Sequence, residues 1–537
     1  MAKSLRRIAL VVTLATALSK LLGLLRQQAI AGAFGVSSAY DAYNYAYIFP
    51  GFLLILLGGI NGPFHSAIVT SIVSRPHKEK LHILAAVNTL TGTVLFGVTG
   101  LLWLTSDLLI TLVGPGLNLE LHKIAVIQLQ IMAPIAMFAG FIGLSFGVLN
   151  ASNEFWLPSV SPLISSAVVI SGLGLLWLKL GSDISNPERA FLGGGVLAGT
   201  TLLGAIAQWL VQIPLLIKQG VNKISFVWDW SHPGVAELLR VMLPATISSG
   251  MLQINVLIDL FFASGIMGSA AALSYAGLLV QTPLGLASSA LLVPLLPIFT
   301  KLVASKDNCA LIDRIRQGLM VSNIIMIPLG ISIASLAYPI VGFVYSRGAF
   351  DNHAKTVVST LLMAYGIGMP IYLGRDLVVR IFYALGDGIT PLRFSIAGII
   401  LNLIFDWILV GGPSPWGLQL PYFNCGTPGL VLATVGVNAS SYMGLLIALQ
   451  SRVNGIPLFK WILDSIYLIF SGILSSLLIW QLTERVTWPN GIVGYLVEIF
   501  ICGTLGIILY ILSLVAIGLP ETRRFFFDFR SKVVRTN

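Results

Sequence analysis

The residues with the greatest potential for chemistry are the few charged side chains that interrupt long apolar stretches. A charged group at the centre of a membrane helix costs about 2.5 to 3.5 kcal/mol on insertion scales, so each one that is retained is a functional candidate. Basic groups there can bind an anion, and acidic groups can bind a coupling cation. These residues are Lys20, Arg26, Asp259, Arg375, Asp376, Arg380, Asp406 and Glu498.

Lys20 and Arg26 occupy the first apolar stretch, six residues apart. At about 100° per helical residue their side chains point in different directions, so they need not share a ligand. The mid-span position of Lys20 predicts that it lines a wet cavity. Arg26 lies nearer the outer end of the helix, where it can line the cavity or extend to the membrane interface.

The tenth apolar stretch contains three charges. Asp376 and Arg380 have i,i+4 spacing, which predicts a salt bridge between them and leaves Arg375 as the more available charge. Asp259 and Asp406, in other stretches, are candidates for a coupling-ion site, with hydrogen bonds to neighbouring helices as the alternative. Glu498 could face lipid headgroups. The uncharged candidates for the cavity are Asn44, Gln253 and Asn255.

The sequence contains no catalytic or metal-binding motif. Cys309, Cys425 and Cys502 are far apart, the six histidines lack HxxxH spacing, and P-loop and CxxC motifs are absent. We therefore expect no enzyme activity, no metal site and no cofactor. Transport would be driven by an ion gradient or the membrane potential, which supplies about 2.3 kcal/mol per charge for each 100 mV.

The composition indicates a polytopic membrane protein. Of 537 residues, 56% are hydrophobic and 10% charged, and the mean hydropathy is +0.91. This excludes a soluble enzyme, since such a surface would hold too few polar groups. The net charge of +10 does not indicate nucleic-acid binding, because the basic residues lie between apolar runs, as topology signals and contacts for anionic headgroups do.

Apolar stretches bounded by charge, Pro or Gly predict an all-α fold with fourteen transmembrane helices. The N-terminal stretch superficially resembles a signal peptide but has no small-residue cleavage site, so we count it as the first span. The predicted spans are 8–33, 42–72, 83–113, 124–149, 158–178, 190–217, 239–265, 269–300, 317–345, 356–386, 390–411, 428–450, 460–482 and 491–518.

The distribution of basic residues orients these spans. With a cytoplasmic N-terminus, 21 Lys and Arg fall in inner segments and 6 in outer ones. This bias predicts that both termini are cytoplasmic and that the tail, 519–537, is a basic cytoplasmic segment.

A weak internal repeat predicts two six-helix lobes. Four pairs of residues recur at offsets of 232 to 235: Pro50 and Pro283, Pro158 and Pro391, Gly116 and Gly348, Val196 and Val431. The lobes would comprise 1–220 and 236–452 as parallel repeats, with 460–518 adding two helices outside the duplication. Such lobes suit alternating access with a substrate bound between them.

Four stretches resemble the bacterial MurJ (MviN) lipid II flippases, of the multidrug/oligosaccharidyl-lipid/polysaccharide exporter superfamily. Their order matches and together they cover both halves. They are SKLLGLLRQQAIAGAFG (19–35), GVLNASNEFWLPSVSP (147–162), SRGAF (346–350) and RIFYALGDGITP (380–391). In and around these stretches we expect structural or gating roles for Asp41, Pro50, Gly51, Asn150, Pro158, Asp387 and Pro391.

The resemblance implies translocation of undecaprenyl-pyrophosphate-linked peptidoglycan precursor from the cytoplasmic to the periplasmic leaflet of the bacterial inner membrane. A diphosphate headgroup needs a hydrated cationic cavity, and a long prenyl tail needs an apolar groove, which the last two spans could provide. Expected partners are this precursor, membrane lipids and the cell-wall synthesis or division machinery, without nucleic acid.

The sequence departs from the family pattern at several binding positions. Arg26 matches a family arginine, whereas Lys20 replaces another and loses its bidentate fork. Leu54 and Leu278 stand where two further arginines are expected, and Gln27 where an acid is usual. One hypothesis is that Arg375 or Arg380 offsets the lost charge.

Two alternatives remain at this point. One is a cation-coupled exporter of drugs or of other polyprenyl-linked oligosaccharides, which would favour acids over Lys20 and Arg26 in the first lobe. The other is a transport-inactive membrane scaffold, suggested by Leu54 and Leu278.

Overall fold

A computed structural model of the chain describes residues 5–59, 68, 77–152, 154–219, 227–229, 232–413, 421–453, 455 and 457–517. Within these ranges the regular secondary structure is entirely helical, which confirms the predicted all-α class. Helices satisfy every backbone hydrogen bond within one segment, and a chain of this hydropathy in lipid needs that property. The helices α1 to α18 are, in order, Leu5–Phe34, Ser38–Gly58, His77–Leu104, Ser106–Val113, Leu119–Met132, Ile135–Ala151, Trp156–Leu180, Ala190–Leu210, Ile213–Lys218, Pro233–Ala263, Ser269–Ala304, Asn308–Ser335, Ala337–Tyr345, Asn352–Ala384, Ile389–Val410, Gly426–Val453, Leu458–Arg485 and Ile492–Ile517.

Eleven helical segments in the described part of the chain are long and apolar enough to cross a membrane. They coincide with the predicted third to sixth and eighth to fourteenth spans. The other three predictions correspond to α1, α2 and α10. Of the predicted span 42–72, residues 60–67 and 69–72 lie outside the described residues.

In the described structure four predicted spans are each divided into two helices, and two of these breaks occupy matching positions in the proposed repeat. The break between α3 and α4 falls at Thr105, and that between α12 and α13 at Leu336, 231 residues later. At the first break the Thr105 hydroxyl donates to the Leu101 carbonyl at 2.7 Å, while the Thr105 amide donates to the same oxygen at 2.9 Å. A hydroxyl that competes for a helix carbonyl bends the helix. The recurrence supports the proposed duplication, which stays a prediction.

The chain divides into two compact units. The first comprises residues 1–271, 347–350 and 413–417, and in it α1 packs on α7, α7 on α8, and α2 on α5, α6 and α8. Helix α10, assigned by sequence to the second lobe, packs on α2, α3 and α4 of this first unit.

The second unit comprises residues 272–346, 351–412 and 418–537. In its described part α14 packs between α12 and α16, while α17 packs on α12 and α18. Small residues lie at the contact between α17 and α18, where the Ser475 hydroxyl donates to the Gly506 carbonyl at 2.7 Å. Small residues allow the close helix approach on which membrane proteins depend.

The closest approach of α12 and α14 occurs at Gly330 and Gly366, and it predicts a stability effect. A Cβ atom on Gly366 would lie 2.6 Å from the Gly330 carbonyl oxygen, which is rigid backbone. We expect Gly366→Ala to force the helices apart and to cost about 1 to 3 kcal/mol, as overpacking does. The measurement is thermal unfolding of the purified protein in detergent.

Gly174→Ala is the matched control, because a Cβ there meets nothing within 4 Å in the described structure. Alanine raises helix propensity, so this variant should unfold at the same temperature as wild type or slightly above it. Equal melting temperatures for Gly366→Ala and wild type would contradict the packing argument.

Candidate functional site

Helices α1 and α2 form a polar contact around a row of tyrosines. The Tyr40 and Tyr43 rings stack at 5.8 Å with an interplanar angle of 17°, and Tyr43 and Tyr47 stack at 5.3 Å and 11°. Spacings of three and four residues place these rings on one helix face. The Gln27 amide of α1 donates to the Tyr40 hydroxyl, and the Tyr43 hydroxyl pairs with Thr201 of α8 at 3.1 Å.

Arg26 lies beside this row with unused hydrogen-bonding capacity. Its side chain is half-buried, and its buried Nε has no hydrogen-bond partner among the described residues. Its guanidinium lies near the phenols of Tyr43 and Tyr47. A desolvated cation without a paired carboxylate is costly, so this position favours an anionic ligand.

Lys20 is exposed on α1, and the structure does not place it in the Tyr40 to Tyr47 row. Asn44, another predicted cavity residue, donates its amide to the Tyr40 carbonyl of its own helix at 2.7 Å. Gln253 and Asn255 are half-buried on α10, and the Asn255 Oδ1 atom has no hydrogen-bond partner among the described residues. Their cavity roles stay predictions.

Asp41 joins the start of α2 to the start of α11. Its carboxylate is 1% exposed. Oδ2 accepts from the Gly268 amide at 3.0 Å, and Oδ1 accepts from the Ala271 amide at 3.0 Å. Asp41 therefore caps the first turn of α11, where free amides and the helix dipole favour a negative charge. The motif indicated Asp41, but its partners are 227 and 230 residues away.

A backbone contact lies at the α1 to α2 turn. The Ala349 amide donates to the Gly32 carbonyl at 2.8 Å. Gly348 has φ +55°, and a Cβ there would lie 2.2 Å from the same carbonyl oxygen. A side chain at Gly348 would therefore be both conformationally strained and sterically blocked.

The residues predicted to have structural or gating roles in the first unit differ in their local surroundings. Pro50 is buried within α2. A Cβ on Gly51 would lie 2.5 Å from Cε1 of Tyr47, so the absence of a side chain at Gly51 leaves the space that this ring occupies. Asn150 is half-buried in the last turn of α6. Pro158 is buried near the start of α7. Their gating roles stay predictions.

The second unit contains Arg375 in a polar pocket of its own. Its Nε donates to Ser441 at 3.1 Å and its Nη2 to Ser395 at 3.4 Å. Its Nη1 lies 4.0 Å from the Asp376 carboxylate. The predicted salt bridge between Asp376 and Arg380 is wrong: in the described structure Asp376 pairs with Arg375, and Arg380 attracts it only at longer range. Arg375 is thus less available than its sequence spacing predicted.

Asp387 caps α15. It accepts from the Thr390 amide at 3.0 Å and the Thr390 hydroxyl at 2.8 Å, and Arg452 of α16 lies 3.1 Å away. The bonds from Thr390, helped by Arg452, hold the pKa of Asp387 below its ordinary range. Pro391 is buried in the same first turn. This supports a structural role for the motif.

Asp406 is fully buried on α15, and Asn402, one turn earlier, donates to its Oδ2 at 3.0 Å. The other coupling-ion candidate, Asp259, is half-buried on α10 in the first unit. Among the described residues, no group of three or more His, Cys, Asp and Glu side chains could hold a metal ion.

Sequence reasoning missed two buried charges. Lys355, assigned to an outer loop, lies in the first turn of α14 and is 4% exposed. Its ammonium donates to the Tyr495 hydroxyl at 2.7 Å and lies 4.9 Å from the Tyr338 ring centroid. Asp464 falls within the predicted span 460–482 and is 6% exposed, so its position alone could have identified it.

Of the two positions where the resemblance leads us to expect an arginine, Leu54 is apolar in its contacts as well. Leu54 is half-buried and packs against a cluster that includes Leu56 and Leu57. Leu278 is half-buried on α11. Arg26 is thus a half-buried cation of the first unit whose Nε has no hydrogen-bond partner among the described residues.

Comparisons with known proteins show the family of the chain. The family model described as lipid II flippase MurJ matches residues 30–501. A Synechocystis protein named probable lipid II flippase MurJ is 44% identical over 522 residues, covering 97% of this chain and 96% of its own length. A solved lipid II flippase MurJ in an inward closed conformation is similar in fold, with a TM-score of 0.75, 24% identity, and coverage of 94% of this chain and 98% of that one. An inward-facing multidrug resistance MATE transporter shares the fold at a TM-score of 0.64 and 15% identity, covering 82% of this chain and 95% of that one. Because the family model and a 44% identical relative both extend over most of its length, the chain belongs to the MurJ family of lipid II flippases.

Proposed function

We propose that this chain is a lipid II flippase, which carries undecaprenyl-pyrophosphate-linked peptidoglycan precursor from the cytoplasmic to the periplasmic leaflet. It would act in the bacterial inner membrane with both termini in the cytoplasm. Membership of the MurJ family is the first support. The second is the Arg26 site, whose chemistry suits the cargo's diphosphate.

The observation that carries the proposal is the buried, unpartnered Nε of Arg26. A guanidinium offers several donors in one plane, the geometry that matches phosphoryl oxygens. A cation-coupled drug exporter would instead favour a carboxylate at this place. In the described structure the neighbouring groups are phenols and amides.

The lipid tail would use α17 and α18. Their outer faces are apolar, and they include Phe470 at 55% exposure and Phe500 at 73%. The prenyl chain is as apolar as the surrounding lipid, so these faces need only shape to guide it. Proteins of cell-wall synthesis or division are proposed as further partners.

Complementation and transport together test this function. The resident flippase of a tractable bacterium is depleted while this chain is expressed, and purified chain is reconstituted in vesicles containing labelled lipid II. Survival of the cells and transfer of label between leaflets are the expected results. Failure of both, with the protein folded and inserted, would contradict a flippase and leave the scaffold alternative.

Asp406 provides a separate test of energy coupling. We propose that Asp406 and Asn402 bind the coupling cation, since a buried carboxylate next to an amide oxygen supplies the oxygen ligands that hard cations prefer. Asp406→Asn should then reduce gradient-driven transport at least about 10-fold, because one lost charge interaction is worth about 1.5 kcal/mol or more. Transport in vesicles with and without an imposed ion gradient measures this effect.

The matched control is Asp387→Asn, which removes an acid near the start of the same helix. It should weaken the helix cap but keep the ratio of transport with and without the gradient. An unchanged ratio in Asp406→Asn would instead assign this residue a purely structural hydrogen bond.

A further inference from the structure

The three stacked tyrosines of α2 differ in what their hydroxyl groups contact. The Tyr40 hydroxyl accepts from Gln27, and the Tyr43 hydroxyl is paired with Thr201. Tyr47, at the end of the row, forms no side-chain hydrogen bond to any other described residue and is only half-buried. The row thus ends in one phenol whose hydroxyl has no side-chain partner among the described residues.

Arg26 lies near this phenol. It precedes Gln27 on α1, and the Gln27 to Tyr40 bond joins α1 to the start of the tyrosine row. Arg26 is near Tyr43 as well as Tyr47, so one ligand can contact both the guanidinium and the last phenol of the row.

The local backbone holds Tyr47 in place. Its ring lies against Gly51, where an added Cβ would come within 2.5 Å of Cε1. On its other side the ring stacks on Tyr43 at 5.3 Å. The phenol is therefore oriented before any ligand arrives, and that lowers the entropy cost of binding.

Arg26 and Tyr47 together combine a permanent cation with a neutral hydrogen-bond donor. A guanidinium donates N–H groups to anionic oxygens, and a phenol donates one O–H, which forms short and strong bonds when the acceptor is charged. An isolated carboxylate would satisfy the guanidinium alone. A diphosphate presents several anionic oxygens a few ångströms apart and can accept from both groups.

We propose that Tyr47 is a further substrate-binding residue, whose hydroxyl donates to the lipid diphosphate that Arg26 neutralises, and that Tyr43 is its positioning residue. This inference rests on the proposed function. It also gives a reason why the first unit can bind an anion with Leu54 in place of a second arginine, since a neutral donor carries part of the recognition.

The test is binding of short lipid diphosphates to the purified full-length chain in detergent. Farnesyl diphosphate is the probe, with farnesyl monophosphate and farnesol for comparison. We expect Tyr47→Phe to weaken farnesyl diphosphate binding about 10-fold or more, the effect of one hydrogen bond to a charged group. Its affinity for farnesol and its melting temperature should stay at wild-type values.

Tyr45→Phe is the matched control, because Tyr45 lies on the same helix, is 0% exposed, and has a hydroxyl without a hydrogen-bond partner among the described residues. It should leave diphosphate affinity unchanged. Gly51→Ala is a second variant, which keeps the hydroxyl but displaces the ring and should also weaken diphosphate binding. Tyr43→Phe should weaken it less than Tyr47→Phe, with the loss confined to the phosphorylated probes.

Wild-type affinity in Tyr47→Phe, or an equal loss in Tyr45→Phe, would overturn the assignment. So would an equal loss for farnesol, since that result would indicate a packing effect. These outcomes are independent of complementation: a wild-type chain that fails to rescue cells would contradict the flippase function, while a selective loss of diphosphate binding in Tyr47→Phe would still support the subsite.

Discussion

Arg26→Ala is expected to abolish rescue of flippase-depleted cells and to lower lipid II transport by about 10- to 150-fold. Each hydrogen bond to a charged group is worth about 1.5 to 3 kcal/mol, and the variant removes a half-buried guanidinium together with its Nε, which has no partner among the described residues. Arg26→Lys should recover part of the activity, because it restores charge but not the planar fork. Transport of labelled lipid II in vesicles is the measurement.

Lys20→Ala and Arg375→Ala are the comparison variants. Lys20 is exposed, and Arg375 is already bonded to Ser441 and Ser395, so we expect smaller losses than for Arg26→Ala. The double variant of Arg375 and Arg380 tests whether these residues offset the missing family arginines. Intact transport in that double variant would reject the compensation hypothesis, and intact transport in Arg26→Ala would contradict the proposed anion site.

The fold was predictable because lipid leaves few alternatives. A run of about 20 apolar residues must form a helix, since no water is available to satisfy its backbone. The helices therefore follow from counting apolar residues. A helix starts earlier than predicted where it extends past the apolar run, as at Asn308, nine residues before the predicted start at 317. The break at Thr105 was not predicted, because it depends on one hydroxyl and its choice of rotamer.

The site was only partly predictable. Charge in an apolar stretch predicted Arg26 and Asp406 as candidates, because burial of charge is costly wherever it occurs, and the structure places Arg26 half-buried and Asp406 fully buried. The same reasoning failed for Asp376, which has an i+4 partner in sequence but lies closer to Arg375 in the structure. Helix periodicity gives the direction of a side chain but not its partners. Arg375, for example, is held by Ser441 and Ser395, which lie on other helices.

The tyrosine row shows a second limit. In sequence, Tyr40, Tyr43 and Tyr47 are ordinary aromatic residues with helical spacing, which is usually typical of packing. Only the contacts distinguish them: two hydroxyls are satisfied by Gln27 and Thr201, and the third has no side-chain hydrogen bond to another described residue. A feature defined by an unsatisfied group cannot be read from residue types.

Asp41→Ala is expected to produce the largest loss of stability among these variants. The carboxylate is 1% exposed and accepts from the Gly268 and Ala271 amides, each at 3.0 Å. Two buried N–H groups without an acceptor cost about 1 to 3 kcal/mol each, so the expected loss is about 2 to 6 kcal/mol. Thermal unfolding in detergent measures it.

Asp41→Asn separates the hydrogen bonds from the charge. Asparagine has the same shape and keeps one acceptor oxygen, so the variant should lose about half as much unfolding free energy as Asp41→Ala. It no longer complements the α11 helix dipole. Both variants leave Arg26 and Tyr47 unchanged, and binding of farnesyl diphosphate at a temperature where the proteins are folded should persist. If Asp41→Ala unfolds like wild type, α11 does not depend on this cap. If it remains folded but loses diphosphate binding, Asp41 acts on the Arg26 site as well as on α11.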